Sequence, residues 1–213
     1  MVGTLIDRAG LPRCSRCNLR EVACFCHAVQ TLNLPFEVHV LVHPLELKRP
    51  SSSIFFLQLD SQVSLHIYQR TELLTPKAGD VLLFPQSDDK TPTSSGASSD
   101  TKSDKSSDTS SATRSNTSSS ELVDIQRLWL LEGTWQEATK MLAKQPLLAA
   151  LPRLSVADQP SRYPFRKNQR TGGLSTAEAL LASVDDAHSK RRSSYYDNYL
   201  AHAVASMNGH APC

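Results

Sequence analysis

Ile125-Gln126-Arg127-Leu128-Trp129-Leu130-Leu131-Glu132-Gly133-Thr134-Trp135-Gln136-Glu137 runs from strand formers through a glycine turn into a helix start. Ile125 to Leu131 is short, almost continuously apolar and bulky, the pattern of a buried strand. Thr134 and Glu137 have the spacing of a capping box, in which the hydroxyl takes one orphan amide and the carboxylate three residues on takes another. A strand ending in a glycine turn that opens a helix puts free backbone N–H groups at the carboxyl edge of a sheet, where α/β proteins bind nucleotide-like ligands. The same pattern also serves simply to start a helix, and spacing alone leaves both readings open.

The pattern repeats outward from this stretch. Glu37 to Val42, Val63 to Tyr68 and Asp80 to Phe84 read as strands; Ser52 to Leu59, Trp135 to Lys144 and Thr176 to Ala187 read as helices. Ser175-Thr176-Ala177-Glu178 is a second capping box. Strands alternating with helices predict an α/β fold with a mostly parallel sheet. Between Ser87 and Ser120 the composition collapses to 14 Ser and 6 Thr in 34 residues with no aromatic or large aliphatic side chain. Such a stretch cannot bury enough apolar surface to offset its ordering entropy, so disorder is expected there. Strand-like runs flank it, which makes it an insertion inside one domain, with no catalytic role expected.

The 213 residues suffice for one compact unit, and 39% hydrophobic content with a mean hydropathy of −0.32 reads as soluble and globular. No run of eighteen apolar residues occurs, and the first eight residues lack the charged and apolar regions of a secretory leader. Secretion and membrane insertion are therefore not expected, and the cytoplasm or nucleus is. Formal net charge is only +2, but its distribution is uneven. Arg153, Arg162, Arg166, Lys167 and Arg170 face Asp158 alone between positions 153 and 173, and Lys190-Arg191-Arg192 adds a second basic run. These clusters suit phosphate contacts, or equally a solvated face.

Cys14-Ser15-Arg16-Cys17 and Cys24-Phe25-Cys26 place four soft ligands within thirteen residues. That spacing predicts a closed tetrahedral thiolate zinc site stapling a segment, residues 1–30, that has little core of its own. His43-Pro44-Leu45-Glu46-Leu47-Lys48-Arg49-Pro50-Ser51-Ser52-Ser53 follows a strand and precedes an apolar helix. Its polar groups can form a site, or Ser51 or Ser52 can cap the helix beginning near Ile54. Phe84-Pro85-Gln86 ends a strand and can line a pocket or merely terminate it.

These motifs, in this order, resemble the DTW-domain family over nearly the whole chain outside the Ser-rich insertion and the extreme ends. The resemblance rests on the four-cysteine cluster, His-Pro-x-Glu-x-x-Arg at His43 to Arg49, Leu83-Phe84-Pro85, Glu132-Gly133-Thr134-Trp135, Ser161-Arg162-Tyr163, and Leu174-Ser175-Thr176-Ala177-Glu178-Ala179. Two departures stand out. The family's name-giving Asp is Glu132, and its Thr-Asn-Thr/Ser after the His-Pro motif is Ser51-Ser52-Ser53.

The resemblance implies a SPOUT-related domain over residues 31–208, with a C-terminal knotted region whose loops bind S-adenosylmethionine. It implies an enzyme that moves the 3-amino-3-carboxypropyl group of that cofactor to N3 of a uridine in tRNA. By position the cofactor loops are Phe84-Pro85-Gln86, Leu131 to Trp135 (with Gly133 and Thr134), and Leu174, Ser175, Thr176 and Glu178. Glu132 is the first candidate base and Glu46 the second. Arg49 is a candidate for holding the cofactor carboxylate through paired hydrogen bonds, or else a partner of Glu46 in a structural ion pair. Trp135 suits stacking on a base, or the core. Arg162, Arg166, Lys167 and Arg170, helped by Lys190, Arg191 and Arg192, are the expected tRNA contacts. The competing expectations are a catalytically silent RNA-binding zinc protein, a SPOUT-type methyltransferase, and a redox protein built on the cysteines.

Overall fold

A computed structural model describes residues 5–6, 10–85, 125–157, 159–165 and 173–212. The Ser-rich insertion, Gln86, Asp158, Arg166, Lys167, Arg170 and Cys213 lie outside the described residues. A short antiparallel pair, β1 (Leu5–Ile6) and β2 (Pro12–Arg13), opens the chain. There follow β3 (Glu37–Val42), α1 (Ile54–Leu57), β4 (Val63–Ile67), β5 (Asp80–Leu83), β6 (Arg127–Glu132), α2 (Trp135–Ala143), α3 (Pro146–Ala149), β7 (Arg153–Leu154), α4 (Thr176–Ala182) and α5 (Ser189–Asn208).

The strand-like runs pair as the pattern predicts. β3 to β7 form one five-stranded sheet in the order β4-β3-β6-β5-β7, every neighbouring pair parallel. Period-two alternation sorts the side chains to two faces. Val38, Val40, Val42, Leu128 and Leu130 join one core with α1, α4 and α5; Leu41, Leu82, Trp129 and Leu131 join a second with α2 and α3. Helices on both faces explain why the central strands read as continuous apolar runs. β3 connects onward to β4 on one side, and β6 to β7 on the other. The adjacent carboxyl ends of β3 and β6 are thus the topological switch point, where open α/β sheets have their ligand crevice.

Three features differ from the sequence reading. α1 covers only Ile54–Leu57, all buried. α4 stops at Ala182, where the Ser183 hydroxyl takes the Leu180 carbonyl and Arg192 draws Asp186 away into a fork of two 2.9 Å bonds. The 20-residue α5 lies outside the sequence reading; its buried stripe of Tyr195, Tyr196, Tyr199, Leu200 and Ala203 has helical spacing, but buried Arg192, His202 and Ser206 interleave with it and blur the apolar signal. It ends at Gly209, whose φ of 80° is the left-handed cap that favours glycine. No helix among the described residues is long and apolar enough to cross a membrane.

Candidate functional site

At the switch point β3 and β6 run in register to their ends, Val42 beside Glu132, and the His43 amide donates to the Glu132 carbonyl at 2.9 Å. The turn through Gly133 needs its glycine for room: a Cβ there would meet the Glu137 Cβ at 3.1 Å and the His43 Cβ at 3.5 Å. Helix α2 then starts as its capping box predicts. The Glu137 amide donates to the Thr134 hydroxyl at 3.3 Å and the Thr134 amide to the Glu137 carboxylate at 2.7 Å.

Glu137 does more than cap. Arg49, at the end of the 3-10 turn Glu46–Lys48, sends two guanidinium nitrogens to its two oxygens at 3.2 Å each and also bonds Glu46. His43 Nδ1 lies 3.5 Å from Glu137 Oε1. Burial works to raise the Glu137 pKa, but Arg49 and the Thr134 amide outweigh it and hold the carboxyl down at about 2. The fixed anion in turn raises the pKa of Arg49. Of the two readings for Glu46 and Arg49, the ion pair is present, and it extends to Glu137, which spacing marked only as a capping-box carboxylate. Arg49 keeps 37% of its side chain exposed.

Glu132 is 2% exposed; Ser52 donates to one of its oxygens at 2.8 Å and Ser53 to the other at 3.4 Å. The serine hydroxyls therefore do not cap α1. Ser53 holds the N-cap position without a side-chain cap bond, and the expectation that Ser51 or Ser52 caps the helix is corrected. The buried carboxylate fixes both hydroxyls as its donors because the charge must be satisfied, and the Ser53 oxygen accepts instead from the Ala177 amide of α4.

The second capping box arrives at the same edge. The Thr176 hydroxyl donates to the Leu131 carbonyl at 3.3 Å, and the Ala177 amide to the Ser53 hydroxyl at 3.4 Å. Glu178 accepts from the Ser161 hydroxyl at 2.7 Å, the Arg162 amide at 2.6 Å, and the Ser175 amide and hydroxyl at 2.9 and 2.8 Å. Burial opposes the charge, and the bonds from Ser161, Ser175 and Arg162 keep the pKa below the ordinary value. The Tyr163 hydroxyl closes the circle on the Ser51 carbonyl at 2.6 Å. Leu174 directly precedes this helix start.

Trp135 is 42% exposed and stacks on Phe84, the rings 5.2 Å apart and within 7° of parallel. It is not core. Arg153 lies over the Phe84 ring at 5.7 Å and donates to the Pro85 carbonyl at 3.1 Å. The cofactor-loop candidates Phe84, Pro85, Leu131, Gly133, Thr134, Trp135, Ser175, Thr176 and Glu178 thus stand at strand ends and helix starts.

The basic residues divide. Arg162 is exposed, pairs with Asp197 at 2.6 Å and lies over Tyr196. Lys190 and Arg191 are exposed at the start of α5, Arg191 donating to the Thr31 carbonyl ahead of β3, so they belong to the opposite end of the sheet. Arg192 is corrected: it is 2% exposed, bonded to the carbonyls of Leu32 and Asn33 and to Asp186, and has no face left for phosphate.

The four cysteine sulfurs lie within 4.8 Å of one another, with Cys14 to Cys26 at 3.5 Å and Cys17 to Cys24 at 3.8 Å. A tetrahedral thiolate zinc with bonds of about 2.3 Å has sulfur–sulfur edges of about 3.8 Å, so the donor set fits that ion. Burial pushes Cys17 up to about 11, so holding four thiolates together requires a cation. None of the four is in a disulfide. The segment packs on α5 through Phe25, which meets Tyr195, Tyr199 and His202 at 5.1 to 5.4 Å, and its core merges with that of the sheet.

Fold and site together define an α/β protein with a parallel sheet, a cluster of polar groups at the switch point, and four thiols against its last helix placed to bind a metal ion. The chain belongs to the DTW-domain family, whose profile matches residues 11–208, cysteine segment included. That membership is consistent with a tRNA-modifying enzyme. No solved structure matches the chain.

Proposed function

We propose that this protein is a tRNA-uridine aminocarboxypropyltransferase, moving the 3-amino-3-carboxypropyl group of S-adenosylmethionine to N3 of a uridine and releasing methylthioadenosine. One observation carries the reading. Motifs from three distant parts of the chain, His43 to Arg49, Glu132 to Glu137 and Ser175 to Glu178, meet at one strand edge of a DTW domain. S-adenosylmethionine supplies carbons activated by its sulfonium, and which of them reacts depends on how the donor is held. In this reading the loops at Phe84–Pro85, Leu131 to Trp135 and Leu174 to Glu178 hold the donor in the knotted arrangement of SPOUT-type proteins.

Arg49 offers its exposed guanidinium to the donor's carboxylate, already oriented by Glu137. Glu132 ties the serine loop to β6 and, through Ser53, to α4, positioning three segments of the cleft. Arg162 is the described cation nearest the α4 end of this edge, and Arg166, Lys167 and Arg170 follow it in sequence as further phosphate contacts. Zinc holds Cys14, Cys17, Cys24 and Cys26 and has no step in the transfer. A tRNA substrate fits the cytoplasm or nucleus.

The test is transfer from S-adenosylmethionine labelled separately in its carboxyl and methyl carbons to unmodified tRNA. Carboxyl label alone in the RNA is the expected result. Methyl label alone makes the protein a methyltransferase, and tRNA binding with neither label makes it a silent RNA-binding module.

A further inference from the structure

Uridine N3 carries a proton that must leave as the new bond forms, so the reaction proposed above requires a base at the cleft. Four carboxylates stand there, and none is suited. Glu178 is buried and accepts from Ser161, Ser175 and the Arg162 amide. Glu132 is buried, with both oxygens accepting from serines. Glu46 is 6% exposed and bonded to Arg49. Glu137 accepts from Arg49 and the Thr134 amide, and a carboxyl held at about 2 is a poor proton acceptor.

His43 is different. It is the first residue past β3, across from Gly133, with 23% of its side chain exposed. Both of its polar contacts fall on Nδ1: the Leu45 amide donates to it at a marginal 3.4 Å, and Glu137 Oε1 lies 3.5 Å away, so Nε2 can take a proton in the tautomer whose own proton sits on Nδ1 towards the carboxylate. Among the described residues no hydrogen bond is made to Nε2. We infer that His43 is the general base of the transfer, with Glu137 as the residue that positions its imidazole. The inference rests on the transfer reading.

In the step, His43 Nε2 takes the N3 proton while the N3 electron pair forms a bond to the donor's methionine-side carbon. The bond from that carbon to sulfur breaks, and its electron pair leaves on the sulfur of methylthioadenosine. The sulfonium charge is thereby cancelled and one proton remains on the imidazole, to be lost to water. The charged groups facing the ring are Glu137 from α2 and, behind Glu137, Arg49 with Glu46 from the turn after β3; Glu132 accepts from the His43 amide through its backbone carbonyl. Glu137 beside Nδ1 orients the ring, as a carboxylate does for a histidine base generally.

The experiment compares native protein, His43→Ala and His43→Gln, all zinc-loaded, by calorimetry with S-adenosylmethionine and with tRNA and by carboxyl-label transfer with and without added imidazole. Both variants are expected to bind donor and tRNA within about threefold of native, to lose transfer by about 10²- to 10⁴-fold, and His43→Ala alone is expected to recover with imidazole. Undiminished transfer by His43→Gln overturns the inference and leaves the transfer reading standing. Lost binding of donor or RNA in both variants, without imidazole rescue, makes His43 a binding residue and also overturns it. No transfer by the native protein overturns the reading and the inference together.

Discussion

Glu132→Asp, the change that restores the family's own residue, is expected to destabilise this protein rather than improve it. The two positions where the chain departs from the family pattern touch: Ser52 donates to Glu132 at 2.8 Å, and both are buried. A longer acid is matched by a shorter partner. Removing one methylene withdraws the carboxylate by roughly 1.3 to 1.5 Å, which takes the Ser52 contact to about 4 Å and the 3.4 Å Ser53 contact out of range. A hydrogen bond to a charged group contributes about 1.5 to 3 kcal/mol, and a buried charge left short of donors costs comparably. The single variant should therefore lose about 3 kcal/mol and, in a domain of this size, roughly 6 to 12 °C in Tm. Ser52→Asn alone should cost about 1 to 3 kcal/mol by overpacking. Together they should recover at least half of the summed loss, a coupling of about 2 kcal/mol or more, measured by urea and thermal unfolding of the four zinc-loaded proteins. Additive costs, within about 0.5 kcal/mol, would refute the matched-pair reasoning.

Four further outcomes follow from other contacts in the structure. Because the folded pKa of Glu137 is depressed to about 2 from 4.5, its contribution is fully present above about pH 4.5 and lost as pH falls towards about 2. Glu137→Gln should therefore cost about 2 kcal/mol at pH 7 and flatten that part of the acid limb of the stability profile; an unchanged limb counts against the Arg49–Glu137 network. Chelation or Cys17→Ser should release one zinc and lower Tm by well over 10 °C, since the thiol segment shares its core with α5; metal analysis showing no zinc in native protein would sink this. Arg192→Ala should cost about 3 to 5 kcal/mol by orphaning Asp186 and two carbonyls, while leaving the salt dependence of tRNA binding unchanged. Arg162→Ala should instead reduce that salt slope by about one phosphate contact.

The sequence by itself determined the elements whose signals are local: four sheet strands from apolar runs, two helix starts from Thr134–Glu137 and Ser175–Glu178, and the cysteine cluster from spacing. Capping boxes and metal spacings are closed within a few residues, so a linear reading finds them. It missed α5, whose helical spacing of tyrosines, Leu200 and Ala203 is blurred by buried Arg192, His202 and Ser206, and β7, two residues long and a strand only because β5 lies beside it. Tertiary structure alone decided the site. His43 to Glu137, Arg49 to Glu137, Ser52 to Glu132 and Ser161 to Glu178 are partners between 17 and 94 residues apart, and no pattern along the chain encodes such pairs. Arg191 and Arg192 show the reason most plainly. Adjacent in sequence and alike in charge, they sit about 100° apart on a helix, so one faces water and the other is buried against the loop before β3.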